Sequence, residues 1–141
     1  MTSIFKRNKY KEIDIYYSDF DPGMSKNYQS DTSMAINNKS IEIALQKLLL
    51  TTPGTVPFRP LFGTDLSSIL FETMSLIQGD RMRTRIISAI NSFEPRVIIQ
   101  DVKVNPDTNN NIYNVYIKYK VRYNNVDEYT LRVPIQSQSN I

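Results

Sequence analysis

Carboxylates are the side chains of this sequence that could perform catalysis, because the chain contains no histidine and no cysteine. The commonest general base, the thiolate nucleophile and the usual zinc ligands are therefore all missing. Glycoside hydrolysis needs only two carboxyl groups, one as the acid and one as the base or nucleophile. The candidates are Asp19, Asp21, Asp65, Glu72 and Glu94. Each also suits a turn, a helix cap or a helix end, so a lysozyme-like hydrolase stays the alternative function.

This sequence contains no recognisable cofactor-binding motif. Neither a G-x-x-x-x-G-K-[ST] loop nor a G-x-G-x-x-G loop is present, and the chain has only four glycines in all. These loops use glycine so that the backbone can approach phosphate groups closely. We therefore expect no cofactor and no metal ion.

The net charge of +3 is mild for a 141-residue chain. Basic residues cluster near the start, between positions 6 and 11, and we interpret residues 1–11 as a flexible basic arm. A nucleic-acid binder using this arm is a third function class, but such proteins carry a stronger basic stripe. No apolar run is long enough to span a membrane. We expect a cytosolic protein with no nucleic-acid and no membrane partner, and with one domain over residues 12–141.

Glu94, Pro95 and Arg96 stand between a helical pattern and a strand pattern. Proline cannot continue a helix and pushes the preceding residue toward extended angles, so Glu94 should end the helix or lie just outside it. A carboxylate there faces the negative end of the helix dipole and needs a cation. Arg96 could supply it across the rigid proline, or both side chains could reach another subunit. The sequence leaves both interpretations open.

Three helices are predicted in the middle of the chain. The first has Ser40 as its cap and ends at a Thr-Thr-Pro-Gly sequence. Residues 55–63 contain two prolines and should be extended and irregular. A short helix follows, capped by Thr64 or Asp65, and Ser75 caps a longer one. The residues predicted to face the core are Ile41, Ala44, Leu45, Leu48, Leu49, Leu66, Ile69, Leu70, Met82, Ile86, Ala89, Ile90 and Phe93.

Strand patterns with a period of two occupy the C-terminal third. We expect a strand at 96–104, a polar loop at 105–111, a strand at 112–123 and a tight hairpin at Asn124–Asn125. The tail 136–141 has no core to join. The predicted inward residues are Tyr113, Val115, Ile117, Tyr119, Val121 and Tyr123 on one strand, and Tyr129, Leu131, Val133 and Ile135 on the next.

The N-terminal part adds a strand pattern at 12–20, a turn at 21–23 and a short strand around Met34 and Ile36. With these elements, the sequence predicts an α+β fold in which central helices pack on a C-terminal antiparallel β meander.

Three stretches together resemble one family. They are "FDP" at 20–22, "PFRPLFGTDLSSILFE" at 57–72 and "NSFEPRV" at 91–97, in the right order within a likeness that runs over roughly residues 14–136. They are similar to the small baseplate wedge subunit of contractile-tailed bacteriophages, the gene-product-twenty-five family, which has a homologue in type VI secretion baseplates. Val56 and Leu61 depart from the family's arginine and acidic residue, which puts polar contacts at these two positions in doubt.

The resemblance implies a structural role without catalysis. It implies partners in the other baseplate wedge subunits, the tail sheath protein and, further, tail tube or hub proteins, with several copies in a sixfold virion baseplate assembled in the host cytoplasm. It also implies that the C-terminal sheet is the platform for the first sheath ring. The wedge-docking residues would be Glu94, Pro95 and Arg96. A loop and short helix would add Phe58, Arg59, Phe62, Asp65 and Glu72. Sheath strand addition would involve Tyr129, Thr130, Leu131, Arg132 and Val133.

Overall fold

A computed structural model describes residues 18–20, 34–36, 38–122 and 124–138. The basic arm 1–11 and the turn at 21–23 lie outside this part. The helices and strands are β1 (Ser18–Phe20), β2 (Met34–Ile36), α1 (Asn38–Leu50), α2 (Ser67–Leu70), α3 (Leu76–Phe93), β3 (Val97–Asp107), β4 (Ile112–Val121) and β5 (Asn124–Gln136).

The strands form two antiparallel sheets. β1 pairs with β2, and the C-terminal meander has the order β3-β4-β5 with β4 in the centre. The three helices follow β2 and precede β3 in the sequence. In space, α3 packs against β3. The predicted α+β class and the C-terminal meander are confirmed. Within the described residues, no helix is both long and apolar enough to cross a bilayer.

One face of the C-terminal sheet and one stripe of each long helix form a single core. Along β4, buried residues alternate with more exposed ones, as the period-two pattern predicted. α1 and α3 bury apolar residues at helical spacing, and each fully buried side chain of this kind contributes about 1.5–3 kcal/mol. The core includes Ile41, Leu45, Leu48, Leu49, Leu66, Ile69, Met82, Ile86, Ile90, Tyr113, Val115, Ile117, Tyr119, Val121, Leu131, Val133 and Ile135.

Helix starts were predicted less well than helix faces. Ser75 does cap α3, since its Oγ accepts a hydrogen bond from the backbone N–H of Gln78 at 3.2 Å. Ser40 is not a cap, because α1 already begins at Asn38 and Ser40 is buried in its first turn. The Asn38 side chain donates to Glu42 Oε1, one turn later, at 3.1 Å.

The start of α2 also differs from the prediction. Its N-cap position is Leu66, which makes no side-chain cap hydrogen bond, so neither Thr64 nor Asp65 caps it. The Thr64 hydroxyl instead donates to the Leu48 carbonyl at 3.2 Å, at the end of α1. Thr64 therefore closes the preceding helix because its side chain is buried against that helix rather than aimed at the next one.

β3 is longer than predicted and ends at Asp107 rather than at residue 104. Residues 105–107 pair with Asn114, Tyr113 and Ile112. Pro106 is tolerated because β3 is an edge strand in the described part of the sheet, where a missing N–H breaks no ladder.

The β3–β4 turn is correspondingly short. The Asp107 side chain accepts hydrogen bonds from the backbone N–H of Asn110 at 3.3 Å and from its side-chain amide at 2.8 Å. These bonds lower the pKa of Asp107. Asn111 completes the turn with a left-handed φ of 55°.

The hairpin between β4 and β5 lies earlier than predicted. Asn124 already pairs with Val121, so Asn124–Asn125 belong to β5 and the turn precedes them. The register shifts at this point, because Lys120 pairs with Glu128 while Val121 pairs with Asn124. The extra residues between Asn124 and Glu128 therefore form a bulge in β5 directly after the turn.

For residues 136–138, the described part of the C-terminal tail, the prediction that the tail has no core to join is wrong. Ser137 is buried, and its N–H donates to the Asn111 carbonyl at 2.9 Å. Its hydroxyl and the N–H of Gln138 both donate to the Leu70 carbonyl, at 3.1 and 2.8 Å. The tail is held because it satisfies a carbonyl at the end of α2 that has no partner within that short helix.

Candidate functional site

Glu94, Pro95 and Arg96 form a corner between α3 and β3. α3 ends at Phe93, and Glu94 is its C-cap residue, with φ −126° and ψ 75°. The prediction that Glu94 ends or just leaves the helix is confirmed. Nε and Nη2 of Arg96 donate to the two carboxylate oxygens of Glu94, each at 2.6 Å. The two charges thus pair with each other across the proline. This is the first of the two interpretations that the sequence left open, in which Arg96 supplies the cation for Glu94.

Burial separates this ion pair from an ordinary surface pair. Glu94 is only 6% exposed, and the Arg96 side chain is 26% exposed. The backbone N–H of Arg96 also donates to Glu94 Oε1 at 3.3 Å. A buried carboxylate needs such a set of donors, since an unpaired charge in the interior is costly. The pair therefore holds the corner, and the Pro95 ring remains exposed on its outside.

The neighbouring strand fixes the backbone of the same corner. The N–H of Arg122, which follows β4, donates to the Arg96 carbonyl at 3.0 Å, and Arg122 Nε donates to the Pro95 carbonyl. The N–H of Val97 donates to the Glu94 carbonyl at 3.2 Å. Side-chain and backbone bonds together leave the corner little freedom, so a partner that binds it would restrict few motions.

The loop after α1 brings the Phe-Arg-Pro stretch, residues 58–60, to this corner by turning back on the end of the helix. Gly63 makes this possible, because its φ is +124° and a Cβ there would lie 2.4 Å from the Thr51 carbonyl oxygen. The N–H of Thr64 donates to the same oxygen at 3.0 Å. The Phe62 ring then packs edge-on against Phe93, with ring centroids 5.5 Å apart.

Residues 55–63 are irregular as predicted, but they are turned rather than extended. The N–H of Arg59 donates to the Val56 carbonyl at 3.2 Å, and the N–H of Phe62 donates to the Arg59 carbonyl at 3.1 Å. Two successive turns therefore replace an extended run. Proline favours this, because its fixed φ suits the second position of a turn as well as an extended chain.

A cleft of about 270 Å³ lies between the corner, this loop and α1. Four of the residues singled out in the sequence meet here: Arg59, Phe62, Glu94 and Arg96. The other lining residues are Ala44, Lys47, Leu48 and Phe93. The sequence did not single out Lys47, because a lysine on the exposed side of a helix is unremarkable until the fold places it beside a cleft.

Asp65 and Glu72 are placed elsewhere, along the side of α3. Asp65 forms an ion pair with Arg85 at 3.6 Å, and the Asp65 carbonyl accepts a hydrogen bond from the same arginine. Glu72 pairs with Arg81 at 3.5 Å and accepts a hydrogen bond from Gln78. These contacts tie α2 and the turn after it to α3. Neither carboxylate lines the cleft.

Glu72 and Glu94 do not lie close enough together to act as the carboxyl pair of a glycosidase. Glu94 follows the end of α3 and Glu72 precedes its start, so about 27 Å of an 18-residue helix separates them. Retaining and inverting glycosidases hold their two carboxyl groups about 5–9.5 Å apart. Glu94 is moreover occupied by Arg96, and Asp65 by Arg85. The side chain of Asp19 and the whole of Asp21 lie outside the described residues.

β5 presents the second predicted surface, and within the described residues it pairs with β4 alone. Leu131 and Val133 are buried on the core side, Tyr129 is half-buried there, and Thr130 and Arg132 are exposed on the other face. The predicted alternation is confirmed. Arg132 also donates to Asn114 Oδ1 at 2.8 Å.

The direction of the β5 backbone donors follows from two residues. Ser137 points its N–H toward the β4 side, at the Asn111 carbonyl, and residues an even number of positions away share this orientation. Pro134 has the opposite parity and no N–H, which suits a position whose donor would face away from β4. Thr130 and Arg132 share the parity of Pro134. Their N–H groups therefore point to the outer edge, where a further strand could pair.

This chain is similar to known proteins over most of its length. The family model of the baseplate wedge protein gp25 matches residues 37–126. The baseplate wedge protein gp25 of Enterobacteria phage T4 is 33% identical over 129 residues, which are 92% of this chain and 98% of that protein.

Solved structures share the fold at lower identity. A Geobacter sulfurreducens protein described as a candidate tail lysozyme gives a TM-score of 0.69 at 20% identity, covering 77% of this chain and all of that one. A chain of the sixfold-symmetrised anti-feeding prophage baseplate gives 0.60 at 18%, covering 89% and 87%. A chain of the type VI secretion baseplate complex gives 0.60 at 19%, covering 71% and 93%. This chain belongs to the gp25 family of baseplate wedge proteins.

Proposed function

We propose that this chain is a structural wedge subunit of a contractile-tail baseplate that docks to other wedge subunits through the Glu94–Arg96 corner. The observation that carries the proposal is the self-paired, backbone-anchored geometry of this corner beside a cleft. A rigid element loses little conformational freedom on binding, so more of the contact energy remains as affinity. Family membership supports the baseplate setting, in which a subunit is built to be held by its neighbours.

Co-elution with the other wedge subunits of the same baseplate tests the docking surface. Two variants are compared with the wild type: Arg96→Ala, and the double variant Glu94→Met with Arg96→Met, which replaces the buried pair by apolar side chains of similar length. Circular dichroism verifies that each is folded at the temperature of the assay. We expect neither folded variant to co-elute.

A matched control separates docking from stability. Lys118 and Glu128 form an ion pair of the same length, 2.6 Å, on the exposed face of the sheet. Lys118→Ala should co-elute like the wild type. If the double variant co-elutes while Arg96→Ala does not, the pair supports the fold rather than the contact. If both co-elute, the docking surface must be sought elsewhere.

We further propose that β5 receives a strand or a terminal arm from a subunit of the first sheath ring. An edge strand with outward N–H groups binds another chain through backbone hydrogen bonds, while side-chain alternation sets the register. Pro134 interrupts the row of outward donors near the end of β5, so the segment Tyr129–Val133 would carry the pairing. The family resemblance further leads us to expect several copies of this chain in a sixfold baseplate and contacts with tail tube or hub proteins.

Thr130→Pro tests this edge with little effect on the fold, because it removes an outward donor and leaves the β4 side intact. Thr130→Val is the control, since it keeps the N–H and changes only the exposed side chain. Sheath assembly on purified baseplates, followed by electron microscopy, should fail with the proline variant and proceed with the valine variant. Assembly at the normal rate on Thr130→Pro baseplates would rule out edge pairing at this position.

The hydrolase alternative rests on a shared fold with a candidate tail lysozyme at 20% identity, which does not carry an activity. A cell-wall turbidity assay decides it. We expect no clearing by the wild-type chain. Clearing that is lost in Glu72→Gln or Glu94→Gln would establish the hydrolase.

A further inference from the structure

Phe58 and Leu61 are two large apolar side chains that the fold leaves in water. Phe58 is fully exposed, and Leu61 is 78% exposed. They stand on the two successive turns of the loop after α1, and we refer to residues 58–61 as the knob. Exposed apolar residues held together in this way are typical of contact surfaces.

The knob is built at a cost to the free chain. Phe58 has a φ of +63°, in the left-handed region that an aromatic residue with a Cβ rarely adopts. Pro57 and Pro60 restrict the backbone on either side, and two turn hydrogen bonds close the loop. The unfavourable angle aims the Phe58 ring into solvent, where it contributes nothing to the core. Strained backbone conformations that do not stabilise the fold are concentrated at functional sites.

The base of the knob is joined to the Glu94–Arg96 corner. The guanidinium of Arg59 lies over the Phe62 ring, 4.7 Å from its centroid, and Phe62 packs on Phe93, the residue before Glu94. A partner that covers the corner therefore meets the knob at the same time, because aromatic contacts hold the two in one arrangement.

Arg59 is the charged residue of this surface that bears on a partner. Among the residues that the structure describes, the cleft between the knob and the corner is lined by Arg59, Lys47 and the Glu94–Arg96 ion pair. Arg59 forms no ion pair with any acidic residue in the part of the chain that the structure describes. An acidic partner surface is the complement of such a cleft.

We propose that the knob inserts into an apolar groove of another wedge subunit, and that a carboxylate on the rim of this groove binds Arg59. The proposal rests on the proposed function and names the chemistry of its partner. Phe58 is the main anchor, since buried aromatic side chains dominate binding energy at interfaces, and Leu61 extends the same apolar surface. The corner positions the anchors, and the strained loop presents them in a form that needs no rearrangement on binding.

Calorimetric titration of the purified wedge subunits with variants of this chain tests the anchors. In the double variant Phe58→Asn with Leu61→Ser, asparagine tolerates the left-handed angle, so the turns are kept while the apolar surface is lost. We expect binding at least about tenfold weaker than wild type. The matched control, Phe71→Asn with Leu76→Ser, removes apolar side chains that are 64% and 74% exposed at the far end of α3, and should bind normally.

Salt dependence tests the rim carboxylate. Binding of the wild type should weaken as the ionic strength rises, and Arg59→Ala should bind more weakly at low salt and respond less to added salt. Arg59→Lys keeps the charge and should recover part of the affinity, while Arg59→Glu should not. An Arg59→Glu variant that binds like the wild type would overturn the acidic rim.

The outcomes distinguish this inference from the proposed function. If the wild type binds the wedge subunits and the knob variant binds equally well, the knob is not an anchor and the proposed function stands. The same holds if the control variant loses as much affinity as the knob variant. If the wild type itself does not bind, the proposed function fails and the knob fails with it. Self-association in sedimentation that is lost in the knob variant would assign the knob to a second copy of this chain instead.

Discussion

Replacing Arg96 by alanine should destabilise the fold, because the Glu94 carboxylate would remain buried without its counter-ion. Removing one partner of a buried ion pair costs about 3–5 kcal/mol. The Arg96 side chain is 26% exposed, so water can partly replace it, and its backbone N–H still donates to Glu94 at 3.3 Å. Both points reduce the cost, and we expect a loss of about 2–3 kcal/mol in the free energy of unfolding.

Urea denaturation followed by circular dichroism measures this loss. For a chain of this size, each kcal/mol shifts the thermal midpoint by roughly 3–5 °C, so Arg96→Ala should melt roughly 6–15 °C below the wild type. The double variant Glu94→Met with Arg96→Met removes both charges together. It should lie within about 1 kcal/mol of the wild type, because an apolar pair of similar volume often replaces a buried ion pair without loss.

A second ion pair provides the control. Lys118 and Glu128 also lie 2.6 Å apart, but their side chains are 50% and 42% exposed. Lys118→Ala should leave the denaturation midpoint nearly unchanged, because solvent screens an exposed pair of the same length. If Arg96→Ala is as stable as the wild type, or if the double variant is as unstable as the single one, an unpaired Glu94 carboxylate is not what destabilises the fold.

Three further predictions concern the fold around the site. Gly63→Ala should cost at least about 1–3 kcal/mol in thermal or urea unfolding, because a Cβ at φ +124° meets the Thr51 carbonyl at 2.4 Å. The same substitution at Gly54, with no atom within 4 Å of the added Cβ but φ +88°, should cost less. Ser75→Ala should cost about 1 kcal/mol by losing the α3 cap, and Ser75→Asp should recover most of it. The Tyr113 hydroxyl is buried beside the Ser75 backbone and makes no hydrogen bond of normal geometry among the described residues, so Tyr113→Phe should change the free energy of unfolding by less than about 1 kcal/mol. Burial also raises the pKa of Tyr113. Its contribution to the free energy of unfolding is therefore fully present below about pH 10 and is lost as the pH rises further. In Tyr113→Phe, the free energy of unfolding should no longer show this decrease at alkaline pH.

Periodic patterns account for what the sequence predicted well. The alternation along β4 and the stripe on α3 depend only on which side chains avoid water, and both are confirmed. Ser75 is recognisable as a cap because its helix begins directly after it. The prediction that Ser40 caps α1 was wrong because its side chain is buried inside the first turn. The elements packed against that turn determine its environment, and the local sequence does not. The place of Ser137 depends on a carbonyl 67 positions away, which no local pattern reveals.

Some residues of the candidate site were likewise predictable from the local sequence, and others were not. The sequence located the Glu94–Arg96 corner and its need for a cation at the helix end, but it left open whether the two charges pair with each other, which the structure shows. The positive φ of Phe58 was not foreseeable, since a phenylalanine between prolines predicts an extended chain. Lys47 joins the cleft only because Gly63 and Thr64 fold the loop back on α1. Motif residues that are neighbours in sequence were thus found, and those brought in by a long-range turn were missed.

The self-pairing of Glu94 and Arg96 changes what a partner would recognise at this corner. Because each charge satisfies the other, the pair offers a partner little net charge, and what it presents outward is the rigid Pro95 ring and the direction of the backbone. Arg59 is the cation of the same surface that sits on an aromatic ring rather than on a carboxylate of the described chain. Recognition by shape at the corner and by charge at Arg59 would then be separable. Arg59→Ala should consequently reduce the salt dependence of docking, whereas the double methionine variant, which loses the geometry of the corner and no net charge, should dock weakly at low and high ionic strength alike.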